Sequence, residues 1–231
     1  MFRYGQFCPI AKALELLGER WTLLVVRELL TGSTQFSQLL RGLPKISPTT
    51  LSKRLAELQD GGLVVRRRIP GHEGHEYRLT AVGRELQPLI ATMAEWGMRW
   101  ARDQMADDEL DVGALMADIE RRLVPAALPG GRTVLHFRFT DLERFGAWWV
   151  RIEDGEVELC LHDPGDEVDV YFTSTLRTLT EVWMGDVPLA EARRLGALKI
   201  VGREAWLHNL TAWFPLHVLA GTPRPSRELS G

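Results

Sequence analysis

One order of parts limits this chain more than any other feature. Between Gln35 and Thr80, a short apolar helix, a turn, a second helix opening on Ser47-Pro48-Thr49-Thr50, and two strand-like runs around a Gly-rich tip follow one another without a spacer. Phe36, Leu39 and Leu40 define the short helix, and Gly42-Leu43-Pro44 closes it. Ser47-Pro48 is a strong helix start, because a serine side chain accepts free N–H groups of the first turn and proline suits the first helical position. Leu51, Leu55 and Leu58 then fall on one buried stripe, and Gly61-Gly62 ends the helix. The opposite face carries Thr49, Lys53, Ala56 and Glu57, with Thr50 and Ser52 on its shoulders. Leu63–Ile69 and Glu76–Thr80 have strand character, with turn chemistry between them at Pro70-Gly71-His72-Glu73-Gly74.

The flanking periodicities complete the layout. Pro9–Leu17 and the apolar Glu19–Leu30 read as helices, and Thr80 reads as the cap of a long helix through Leu86, Ile90, Met93, Trp96 and Trp100. After an acidic stretch at 103–112 and a helix at Leu115–Leu123, the period switches toward two. Thr133–Phe139, Trp148–Ile152, Val157–Leu161 and Val168–Thr173 are expected strands, with a hairpin turn at Asp154-Gly155. Helices at Leu176–Trp183 and Leu189–Leu195, a strand at Leu198–Val201 and a last helix at Glu204–Phe214 follow. Strands gathered first and helices later predict an α+β fold. We expect a domain at 1–102, a linker at 103–112, a second domain at 113–220 and a disordered tail at 221–231.

Charge divides along the same line. Residues 1–100 hold 14 Lys and Arg against 9 Asp and Glu, a net +5, whereas residues 101–231 hold 14 against 22, a net −8. A basic front and an acidic back point to a polyanion as the partner of the front half alone. The order of parts there is that of a winged helix-turn-helix, whose second helix enters a major groove while the hairpin grips phosphates. On this reading Ser47, Thr49, Thr50, Ser52, Lys53 and Arg54 form the reading helix, with Lys45 in the turn before it as a phosphate candidate and at least one of Arg66, Arg67 and Arg68 in the hairpin as a phosphate contact. Arg54 lies nearer the buried stripe than Lys53, so a structural ion pair is its rival role. Alternation along a strand puts Arg66 and Arg68 on one face and Arg67 on the other.

Other classes find little support. No apolar run approaches a membrane span and the start is no signal peptide, so a cytoplasmic protein without a membrane partner is expected. Cys8 and Cys160 do not make a disulfide framework, and the histidines and cysteines lack zinc spacing, so neither metal nor cofactor is expected. There is no nucleophile elbow and no phosphate-binding Gly-rich loop with a following lysine, so no enzyme is expected.

Residues 8–100 resemble the HxlR-type family of bacterial winged-helix regulators, relatives of the MarR group. The resemblance is carried by Cys8-Pro9-Ile10, Ala13 to Gly18, Arg20 to Leu24, Arg27-Glu28-Leu29, Phe36 to Leu39, Ile46-Ser47-Pro48, Leu51-Ser52, Arg54-Leu55, Gly61 to Val64, Glu76-Tyr77, Leu79-Thr80 and Gly83. It implies a transcription regulator, a homodimer built from the first and last helices of the domain, and double-stranded DNA as partner. Cys8 matches a cysteine that some relatives use to sense oxidants; a thiol near a helix start can react as thiolate, and a buried packing role is the alternative.

Residues 113–220 resemble sterol-carrier-protein-type domains more faintly. The matching pieces are Val168 to Thr173, Leu176, Leu179, Gly185-Asp186 and Gly196 to Gly202. That family folds strands against helices around an apolar pocket, which implies a small hydrophobic ligand and makes Trp149, Phe172, Trp183 and Trp206 candidate pocket residues. Large aromatics also fill cores. The alternatives are a hydrophobic-ligand carrier whose basic domain is a docking module, and a second domain that only adds dimer surface around a filled interior.

Overall fold

The structure, a computed structural model, describes residues 3–69, 71, 74–101 and 106–223. The chain divides into two compact units, Met1–Ala94 and Glu95–Gly231.

The first unit opens with helices α1 (Pro9–Leu17), α2 (Thr22–Leu30), α3 (Phe36–Gly42) and α4 (Pro48–Asp60). Helix α2 starts later than the expected Glu19, because Trp21 adopts a left-handed backbone (φ 79°) that the helix cannot incorporate. Strands β1 (Val64–Arg68) and β2 (His75–Leu79) pair antiparallel, Val64 opposite Leu79 and Arg68 opposite His75. Of the expected turn between them, Pro70, His72 and Glu73 lie outside the described residues. One isolated bridge adds to this two-stranded sheet: Gln35 pairs with Glu76, and the Tyr77 N–H donates to the Thr34 carbonyl at 2.7 Å. Leu51, Leu55 and Leu58 are buried against Val25, Val26 and Leu39, as the stripe predicts.

The long helix expected after Thr80 is two helices. Thr80 caps only α5 (Ala81–Arg84), accepting the Gly83 N–H on its hydroxyl, and α6 (Gln87–Trp100) starts afresh. Pro88 supplies the reason: a proline has no N–H to donate to the preceding turn and its ring crowds the carbonyl there. Position 83 requires glycine, since a Cβ there would collide with the Leu63 carbonyl oxygen.

The second unit runs α7 (Val112–Arg122), β3 (Thr133–Phe139), β4 (Ala147–Glu153), β5 (Glu156–Cys160), β6 (Val170–Ser174), α8 (Leu176–Trp183), α9 (Leu189–Arg194), β7 (Lys199–Gly202), α10 (Glu204–His208) and α11 (Leu210–Trp213). Asp111 caps α7 at Ala114, so the last residues of the expected linker are folded; residues 103–105 of it lie outside the described residues, as do 224–231 of the expected tail. The five-stranded sheet has order β5-β4-β3-β6-β7, with β3 and β6 parallel and the other pairs antiparallel. Asp154 and Gly155 form the hairpin turn with positive φ at both, as Asp-Gly predicts. The expected last helix breaks at Asn209, whose side chain leaves to donate to the Ala127 carbonyl at 2.9 Å.

One face of this sheet is packed and the interior is filled. Phe172 is buried between Phe137 (stacked at 4.5 Å between ring centroids) and Phe214, and Trp183 is buried with its indole N–H donating to Asp118 at 2.8 Å. Both rings are packed in the core, and neither is among the residues that line the groove on the outer sheet face. Trp206 is half-buried, its N–H held by the Thr133 hydroxyl at 3.1 Å and its ring under Arg203. Trp149 lines an open groove on the other face of the sheet.

Candidate nucleic-acid interface

Helix α4 is built for presentation. Ser47 sits in extended backbone, its hydroxyl accepts the Thr50 N–H at 3.1 Å and lies 2.8 Å from the Thr50 hydroxyl, and Pro48 starts the helix. Ser47 and Thr50 thus serve the cap first. Thr49 and Lys53 are exposed opposite the leucines and Ser52 is exposed on the shoulder, and their side chains make no hydrogen bond or ion pair with described residues. They are the groups on this helix with polar capacity left for a ligand. Lys45, one turn earlier, is exposed as well.

Arg54 leaves the set of readers. Its side chain is only 7% exposed and bonds Glu57 at 2.6 Å and Glu19 at 3.2 Å. A guanidinium turned inward and held by two carboxylates joins α4 to the segment before α2, the structural role that its nearness to the leucine stripe allowed.

Both ends of α3 are tied to α2 around a buried carboxylate. Glu28, 1% exposed, bonds Arg27 at 2.7 Å and accepts from the Ser33 hydroxyl at 3.2 Å, while Arg27 also reaches the Gly42 carbonyl at 3.2 Å. A Cβ on Gly42 would lie 2.0 Å from a Glu28 carboxylate oxygen. The glycine at the end of α3 therefore makes room for the charge that ties α2 to α3. In the sequence Glu28 looks like one more member of a helix face, and only a charge among apolar neighbours hints at a buried role.

The hairpin carries its arginines on two faces, as alternation requires. Arg66, Arg67 and Arg68 are all exposed. Arg67 pairs across to Glu76, whose carboxylate is gripped by Arg78 through two hydrogen bonds at 2.8 and 2.9 Å. The Arg78 hydrogen bond above all, helped by the charge of Arg67, holds the Glu76 carboxyl below its ordinary pKa. Arg66 and Arg68 stand on the other face and meet no carboxylate among the described residues, so they offer the less compensated charge. Neither Arg78 nor the Thr34–Gln35 bridge stands out in the sequence, since pairing of so short a segment leaves no local periodicity.

Two further features lie on this part of the chain. Cys8 is the N-cap residue of α1, half-buried, and its side chain makes no capping bond. Large apolar side chains stand exposed on α1 and α6: Ile10 is 71% and Trp96 62% exposed, and Leu14, Met93 and Trp100 are exposed too. Among the described residues no helix is long and apolar enough to cross a membrane, and no cluster of potential metal ligands forms.

Known proteins share this segment. Residues 16–105 match the HxlR-like helix-turn-helix family model. The uncharacterised HTH-type transcriptional regulator sll1512 of Synechocystis is 38% identical over 113 residues, covering 48% of this chain and 84% of that protein. YvaP of Bacillus subtilis, named in the same way, is 38% identical over 105 residues, covering 45% of this chain and 97% of its own length. Among solved structures, the reduced form of the transcriptional regulator YodB from B. subtilis is 30% identical, with 43% of this chain and all of that chain aligned at a TM-score of 0.38.

Proposed function

We propose, from the premise that this chain belongs to the HxlR-like helix-turn-helix family, that it is a sequence-specific DNA-binding transcription regulator acting as a homodimer on an inverted-repeat operator. One observation carries the reading: the exposed polar face of the Ser47-capped α4, followed at once by a hairpin of exposed arginines. Thr49, Ser52 and Lys53 face base edges, with Ser47 and Thr50 at the helix start against the backbone. Lys45, Arg66 and Arg68 take phosphates, and Arg67 contributes what Glu76 leaves of its charge. Two-fold pairing through α1 and α6 is supported by their exposed apolar side chains, which a lone protomer would leave in water. Half-site spacing would then follow from the dimer axis.

The domain reading remains a DNA-binding and dimerisation domain at 1–102 and an effector domain at 113–220 of sterol-carrier-like arrangement. Strands before helices around one mixed sheet support that arrangement. The aromatic-filled interior speaks against an apolar ligand inside it. Control through Cys8 rests on its half-buried place at the start of α1; diamide should weaken operator binding by wild type and spare Cys8→Ser, and equal responses would end that idea. The cytoplasm is the compartment this function requires.

Selection of duplexes from a random pool by the purified chain tests the main reading. Enrichment of an inverted repeat is expected. A pool that stays random at physiological salt would instead favour the rival reading, a carrier whose basic unit is only a docking module.

A further inference from the structure

The face of the five-stranded sheet turned away from the core bears a continuous aromatic platform. Trp149 on β4 stacks on His136 of β3, with centroids 4.7 Å apart and planes at 26°, and Tyr171 of β6 meets the same imidazole edge-on at 5.6 Å. Burial lowers the pKa of His136, which favours the neutral ring. Beside this platform opens a groove of about 750 Å³, within the range usual for small-molecule sites.

The chain shapes the groove at three positions. Ala147 pairs with Arg138 across β3 and β4, and its methyl group leaves a hollow where the neighbouring position on that face holds Trp149. Phe145 forms the far rim, 57% exposed, with a left-handed backbone (φ 57°) rare for an aromatic residue. That conformation is held by the buried Trp148, whose indole N–H donates to the Phe145 carbonyl at 2.7 Å, and by Gly146, whose carbonyl accepts the Phe139 N–H at 2.7 Å. A strained residue with an exposed ring, its backbone fixed by a core tryptophan and one face of the ring under the Arg144 guanidinium at 5.9 Å, is the kind of outlier from which a binding role is inferred.

Charge selects the occupant. Arg138 lines the groove and makes no ion pair among the described residues, unlike Arg151 on the same face, which is tied to Glu153 and Asp166. Glu143 lines the groove as well, so a ligand must carry its negative charge at the Arg138 end only. The net −8 of residues 101–231 disfavours a polyanion such as nucleic acid on this face.

We propose that this groove binds a planar aromatic carboxylate, its ring between Trp149 and Phe145 and its carboxylate on the Arg138 guanidinium. It deepens the reading of this unit as an effector domain and moves the ligand from the interior to the outer sheet face. Calorimetry of the full chain with 1-naphthoate, in the absence of DNA, tests it separately from any operator. Saturable binding of one naphthoate per chain is expected. Arg138→Gln, and replacement of the acid by neutral 1-naphthalenemethanol, should each weaken binding roughly tenfold or more, the effect of losing a charge-assisted bond. Ala147→Phe, which fills the hollow, should abolish binding while Arg138→Gln, a surface change, keeps the fold. No saturable binding by wild type, or equal binding by Arg138→Gln, or equal binding of acid and alcohol would overturn the proposal.

Discussion

At the scale of single residues, the structure assigns opposite fates to charges that look alike in the sequence. Lys53 and Arg54 are neighbours on α4, yet one points to solvent and the other is clasped by Glu57 and Glu19. Arg54→Met should therefore lower the unfolding free energy by about 1–3 kcal/mol, since it strips two carboxylates of their partner. DNA affinity of the folded protein should stay within about twofold of wild type, a factor worth less than about half a kcal/mol. Paired denaturation and anisotropy measurements check both, and a large affinity loss at unchanged stability would return Arg54 to the readers. Gly42 gives a sharper case. Gly42→Ala drives a methyl group into the buried Glu28 carboxylate and disturbs its bonds to Arg27 and Ser33. A cost of about 3 kcal/mol is expected, at the upper end of overpacking because a buried charge is displaced. Urea unfolding of the variant measures it, and a cost below about 1 kcal/mol would mean that the turn relaxes freely.

At the scale of elements, what could be read in advance was what is local. Cap, proline and leucine stripe all lie within α4, so its start, end and buried face follow from the sequence. The alternation in β4 likewise predicts its two faces, Trp148 inward and Trp149 outward. The composition of the second half could not say which aromatic rings fill the core, because that depends on partners from other elements, as with Phe172 between Phe137 and Phe214. The bridge at Thr34–Gln35 was illegible for the same reason, whereas the break at Pro88 was written in the chain and outweighed by the apolar period around it. The hairpin supplies the prediction at this scale. Arg66→Ala and Arg68→Ala together should reduce the log-log salt slope of DNA binding by about 1.8, close to 0.9 for each phosphate that is no longer neutralised. Arg67→Ala should change it less, because Glu76 stands opposite. Slopes equal to that of wild type in both variants would place the hairpin off the DNA.

At the scale of the whole molecule, a basic helix-turn-helix unit is joined to an acidic unit with its own core, and the exposed apolar side chains of α1 and α6 are the surface on which the proposed pairing rests. Ile10→Glu with Trp96→Glu should yield a monomer in light scattering, with α4 intact but operator affinity reduced by more than about tenfold, as half-site binding loses its effective concentration. A dimer that persists would move the interface elsewhere. The central claim is that α4 reads sequence through its exposed face. Its most direct test is the ratio of affinities for a selected operator and a shuffled duplex, measured at one salt concentration for wild type and for Thr49→Ala with Lys53→Ala. If α4 is the reader, this ratio collapses at least about tenfold in the variant while shuffled-duplex binding weakens little, since base contacts carry about 1–3 kcal/mol of discrimination each. A ratio unchanged by the two substitutions would contradict that claim.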